Sequence, residues 1–94
     1  MTSSPNSVDV YFEIGQKRTF ASAIKWPGWC RSGRDEVAAL QDLFAYGPRY
    51  AQVLHAAQIE FRPPSAVSTF VVIARHAGNA TTDFGAPDIL LRVI

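Results

Sequence analysis

Val8-Asp9-Val10-Tyr11-Phe12-Glu13-Ile14, followed by Gly15-Gln16-Lys17 and then Arg18-Thr19-Phe20-Ala21-Ser22-Ala23-Ile24-Lys25, is the stretch that decides the fold. Val8, Val10, Phe12 and Ile14 alternate with Asp9, Tyr11 and Glu13. A two-residue period built from β-branched and aromatic side chains predicts a half-buried strand. Gly15-Gln16-Lys17 reads as a turn, and Arg18 to Lys25 as a second strand. Phe20, Ser22 and Ile24 share one of its faces. Thr19, Ala21 and Ala23 share the other, where small side chains let a helix come close. A link this short makes the two strands an antiparallel hairpin.

Downstream, Trp26-Pro27-Gly28-Trp29 breaks the alternation. Proline presets φ and glycine accepts positive φ, so Pro-Gly marks a tight turn. Trp29 to Arg31 reads as a short third strand ending before Gly33. Asp35 is a suitable helix N-cap, because its carboxylate accepts a backbone N–H and suits the positive end of the helix dipole. Val37, Leu40, Leu43 and Phe44 form a helical stripe. At Gly47-Pro48 the pattern is expected to break, since an interior proline removes a hydrogen bond and clashes with the preceding turn. Proline suits the first turn of a new helix, carrying Tyr50, Val53, Leu54 and Ala57. The expectation is two helices, or one sharply kinked helix.

Further on, Ile59 to Phe61 reads as a short strand closed by Pro63-Pro64. Phe70-Val71-Val72-Ile73-Ala74 is an apolar run of strand length, suited to a buried position in the same sheet. His76 to Pro87 reads as a loop and Asp88 to Ile94 as a final strand. The ending on Leu90-Leu91-Arg92-Val93-Ile94 suggests the N-terminal part of a longer protein. Residues 1–7 are small and polar and read as a flexible tail. The fold class is α+β: a small antiparallel sheet with one or two helices on one face, in one domain over 8–94.

With 94 residues the chain suffices for one domain with a modest core. The net charge of +1 argues for neither a nucleic-acid tail nor a binder of acidic ligands. Locally, Lys17, Arg18, Lys25, Arg31 and Arg34 occur with no acid from Gly15 to Arg34. That run reads either as a solvated face or as an electropositive contact surface. The lone Cys30 rules out a disulfide within the chain. There is no signal-peptide pattern and no apolar run near the ~20 residues a membrane helix needs, so the cytoplasm is the expected location.

Complete catalytic constellations are absent from the sequence. Cys30-Arg31-Ser32-Gly33-Arg34 has the wrong spacing for a phosphate-binding cysteine loop, and Cys30 reads as a small core residue. His55 and His76 have no ligand spacing with each other or with Cys30 and Asp83. Asp83-Phe84-Gly85 lacks the rest of the kinase signature, and Asn79-Ala80-Thr81 fits a glycosylation pattern without a secretory context. No metal or cofactor is expected. The distinctive feature is the pair Trp26 and Trp29 beside Arg31 and Arg34. Tryptophan and arginine are enriched at interface hot spots, so these four residues are the candidate binding surface. The plainer reading is that the indoles close the end of a small core.

Pro27, Gly28, Gly33, Asp35, Ala39 and Leu40, in an ungapped stretch after two antiparallel strands, resemble the HicB-like antitoxin domain over about residues 8–46. The resemblance implies a ββ(β)αβ fold and a protein-binding role; in that family the domain blocks a small ribonuclease toxin. The sequence departs from the family at Val37 and Ala38, where acidic residues are usual, and at Gly47-Pro48. No DNA-binding motif follows. The chain also resembles the N-terminal part of longer uncharacterised bacterial proteins with Tyr-Phe-Glu, Trp-Pro-Gly-Trp and Thr-Thr-Asp-Phe-Gly signatures. The leading expectation is a non-catalytic protein-interaction domain, with self-association through a sheet edge as a further option. The rivals are an accessory domain of an enzyme whose active site lies partly outside the chain, and a nucleic-acid binder using 17–34.

Overall fold

The computed structural model describes residues 7–78. The expectations for residues 1–6, for the loop from Asn79 to Pro87 and for the strand at Asp88–Ile94 lie outside the described residues.

The hairpin forms as its alternation predicts. Strand β1 (Val8–Ile14) pairs antiparallel with β2 (Thr19–Ala23), with Phe12 opposite Ala21. The Gly15 N–H donates to the Arg18 carbonyl at 2.9 Å and closes the turn. Strand β3 (Cys30–Gly33) adds antiparallel to β2. Helix α1 (Glu36–Ala56) follows, then a single 3-10 turn (Val67–Thr69) and strand β4 (Phe70–Ala77). The four strands lie in the order β3-β2-β1-β4.

The sheet is mixed rather than wholly antiparallel, because β4 runs parallel to β1. The pairings give β3, β1 and β4 a common direction, so α1 is the crossover that carries the chain from one sheet edge to the other. A parallel return needs such a crossover, whereas a hairpin reverses direction. The apolar run around 70–74 does join the sheet, but as an edge rather than a buried centre. Val71 and Ile73 are 39% and 55% exposed. His76 and Ala77 belong to this strand, not to a loop.

One helix runs through the predicted break. Asp35 caps it as expected, its Oδ1 accepting from the Ala38 N–H at 2.8 Å. Pro48 sits in the interior without ending the helix. Two contacts explain this. Gly47 is buried with Trp29 and Pro63 beside it, where a Cβ would lie 3.2 Å from the Pro63 side chain. The Trp29 indole N–H donates to the Leu43 carbonyl at 3.0 Å, one residue before the Phe44 carbonyl whose helical donor Pro48 lacks. Tertiary contacts on this turn outweigh the local penalty. The buried stripe is Ala39, Leu43, Gly47 and Tyr50; Val37 and Val53, expected within the apolar face, are 65% and 58% exposed.

Thr19, Ala21 and Ala23 are buried, and Ala21 and Ala23 join the core with Val10, Phe12, Ala39 and Leu43. Gly33 makes the closest approach: a Cβ there would lie 2.6 Å from the Ala39 backbone nitrogen. Only a residue without a side chain lets the helix start so near β3. Two ion pairs tie α1 to both sheet edges, Arg31 Nε to Asp42 Oδ2 at 2.9 Å on β3 and Arg75 Nη2 to Glu36 Oε1 at 3.0 Å on β4. Ile59 to Phe61 is irregular rather than a strand. Its apolar character serves packing instead: Phe61 packs on the core from this connection.

Candidate functional site

Trp26 to Trp29 forms a tight turn. The Trp29 N–H donates to the Trp26 carbonyl at 3.1 Å, and Gly28 has φ of 87°. Proline at the second position and positive φ at the third are the requirements of a type II turn. Tyr50 on α1 fixes it from outside by donating its hydroxyl to the Pro27 carbonyl at 2.7 Å.

The turn sends its two indoles to different surroundings. Trp29 is fully buried. Its ring stacks on Tyr50 at 5.6 Å between centroids, meets Phe61 edge-on and meets Phe70 at a tilt. Trp26 is half-buried at the rim and meets Phe61 edge-on at 4.7 Å. A groove of about 550 Å³ opens beside it. Val8, Trp26, Phe61 and Pro63 line it together with the polar Glu60, Arg62 and Ser65.

The candidate arginines also separate. Arg31 lies on the helix side of the sheet, paired with Asp42 and stacked 4.6 Å over the Tyr46 ring. Arg34 is exposed. Trp29 thus belongs to the core and Arg31 to a part-exposed ion pair, while Trp26 is half-buried at its rim and Arg34 is exposed. From the rest of the basic run, Arg18 donates to Ser32 Oγ at 3.3 Å.

The face of the sheet away from α1 carries a second polar group. Glu13 and Ser22 are buried there beside Phe20, although Glu13 was expected on a half-exposed polar face. Ser22 Oγ donates to Cys30 Sγ at 3.0 Å, and Tyr11 meets His76 edge-on at 5.8 Å. Burial pushes the Cys30 thiol above its ordinary pKa, with the Ser22 hydrogen bond and Arg31 opposing and Glu13 adding to the rise. Burial likewise raises Tyr11. An upward shift lowers the thiolate fraction, in keeping with a packing residue. His55 is exposed in the last helical turn. Among the described residues, no group of three or more His, Cys, Asp and Glu side chains could hold a metal ion. Nor is any helix among them long and apolar enough to cross a membrane.

Phe61 and the groove it floors are the features that sequence reading missed. Their signal was an aromatic residue next to Pro63-Pro64, where a regular strand cannot continue but a rigid packed connection can. Comparison of the chain with models of known families, with curated proteins and with solved structures gives no match.

Proposed function

We propose that this chain is a non-catalytic protein-interaction domain with a HicB-like core, binding its partner at the groove beside Trp26. The single observation that carries this reading is the half-buried Trp26 against Phe61, next to open volume that charged residues also line. A partly exposed aromatic anchor beside polar groups is a feature of protein-binding hot spots. The element order β-β-β-α-β also agrees with the fold implied by the resemblance at Pro27, Gly28, Gly33 and Asp35. Arg62 and Glu60 suit a partner with mixed charge around an apolar side chain.

The test compares capture of partner by the tagged full chain with capture by Trp26→Ala. The reading expects a protein retained by the first and lost from the second, while both chains melt cooperatively. Equal retention by both, or a partner released only when the domain unfolds, overturns it.

A further inference from the structure

The connection over residues 59–64 is irregular, yet it is fixed along its length. The Ile59 N–H donates to the Leu54 carbonyl at 2.8 Å. The Phe61 ring is clamped by Trp26, Trp29 and Tyr50, at 4.7, 5.2 and 5.3 Å between centroids. Pro63 lies against the buried Gly47 of α1. A residue that precedes proline is steered to extended conformations, so Pro63-Pro64 keeps Arg62 and Pro63 extended.

Glu60 and Arg62 are exposed and Phe61 is half-buried. Among the described residues, no main-chain N–H or C=O of these three is in a hydrogen bond, and neither charge has an ion-pair partner. Unpaired main-chain groups along an extended segment are a template for another strand. Pro63 and Pro64 have no N–H, which ends such pairing after Arg62. Alternate residues of an extended segment face opposite sides, so Phe61 turns to the aromatic cluster while Glu60 and Arg62 share the other side. A residue laid beside Phe61 in such a pairing comes over Trp26, in the groove that both rings line. Its two neighbours come beside Glu60 and Arg62.

We propose that the partner enters the groove as an extended segment, pairing its main chain with residues 60–62 and carrying an apolar residue between one basic and one acidic residue. This rests on the groove beside Trp26 being the binding site. The apolar side chain lies against Trp26, the basic one beside Glu60 and the acidic one beside Arg62. Strand addition of this kind takes affinity from main-chain hydrogen bonds and selectivity from alternate side chains. The receiving segment is already fixed in the free chain, so binding orders little on this side.

Capped peptides Thr-Asp-Leu-Lys-Thr, Thr-Lys-Leu-Asp-Thr and Thr-Ser-Leu-Ser-Thr, titrated into the full chain at low ionic strength and followed by NMR, test this. One of the two charged peptides should bind roughly fivefold more tightly than the uncharged one, because two exposed charge pairs contribute. Its binding should slow amide exchange over residues 60–62. Exchanging the charges on the protein, Glu60→Arg together with Arg62→Glu, should pass the preference to the other charged peptide. Both positions are exposed, and circular dichroism checks that the fold is kept. Equal binding of the three peptides, or no binding of any, overturns the proposal. So does a preference that the exchanged variant keeps, or binding that leaves amide exchange over 60–62 unaltered. Trp26→Ala should abolish binding of all three. Binding that needs Trp26 but ignores the charges overturns the extended charged segment and leaves the groove as the binding site.

Discussion

Trp26 and Trp29 are separated only by Pro27 and Gly28 and both meet the Phe61 ring, yet they differ sharply in burial. Trp29 is fully buried, bonded to the helix backbone and stacked on Tyr50. Trp26 stays at the rim, where Phe61 supports one side of its ring and the groove leaves another open. The type II turn produces the difference, because it reverses the chain between the two side chains. Identical residues in one motif therefore differ in burial and in what they touch. A residue type that marks hot spots does not show which member of a pair is the anchor.

The strongest way to break this contrast is truncation of both indoles in turn. Trp29→Ala should destabilise the fold by about 3–5 kcal/mol, since a large buried side chain is lost and a cavity remains. It also leaves the Leu43 carbonyl without the indole donor. Thermal or urea unfolding measures the loss. A cost below that of Trp26→Ala would invert the assignment of core and rim.

Gly33→Ala tests the contact that brings α1 over the turn's neighbouring strand. Its Cβ would press on the Ala38–Ala39 backbone, which cannot swing aside as a long side chain can. The expected loss is about 2 kcal/mol, in the range of core overpacking. A neutral substitution would show that the helix start shifts freely and that its position is not fixed by β3.

Pro48→Ala should act in the other direction. It supplies the N–H that the helix interior lacks and removes a ring clash, at the cost of a more flexible unfolded chain. The net gain is expected to be about 1–2 kcal/mol, read as a rise in melting temperature. Stability lost instead would mean that the proline ring itself supports the packing around Gly47 and Trp29.

Trp26→Ala should have the smallest effect on folding, about 1 kcal/mol, because its ring is only partly removed from water. Its effect on partner capture should be the largest of the four. A loss of stability comparable with Trp29→Ala would make both indoles core residues and empty the groove of its anchor.

Much of this architecture was legible in local patterns. The alternation from Val8 to Ile14, the small residues Ala21 and Ala23, the Pro-Gly turn and the Asp35 cap each act within a few residues, and each appears where local chemistry puts it. Gly33 was legible as part of a motif, and its reason became visible only with Ala38 and Ala39 packed against it.

The tertiary structure alone decided four other matters. It carried α1 through Pro48, because burial of Gly47 and Tyr50 and the indole bond to Leu43 exceed a penalty that is purely local. It made β4 a parallel edge, because periodicity reports which side chains can be buried and not which strand lies alongside. It paired Arg31 with Asp42 across eleven positions, giving half of the candidate arginine pair a partner within the chain. And it separated Trp26 from Trp29, because burial is set by what the remote residues Leu43, Tyr50, Phe61 and Phe70 bring to each indole, and no short stretch of sequence contains that information.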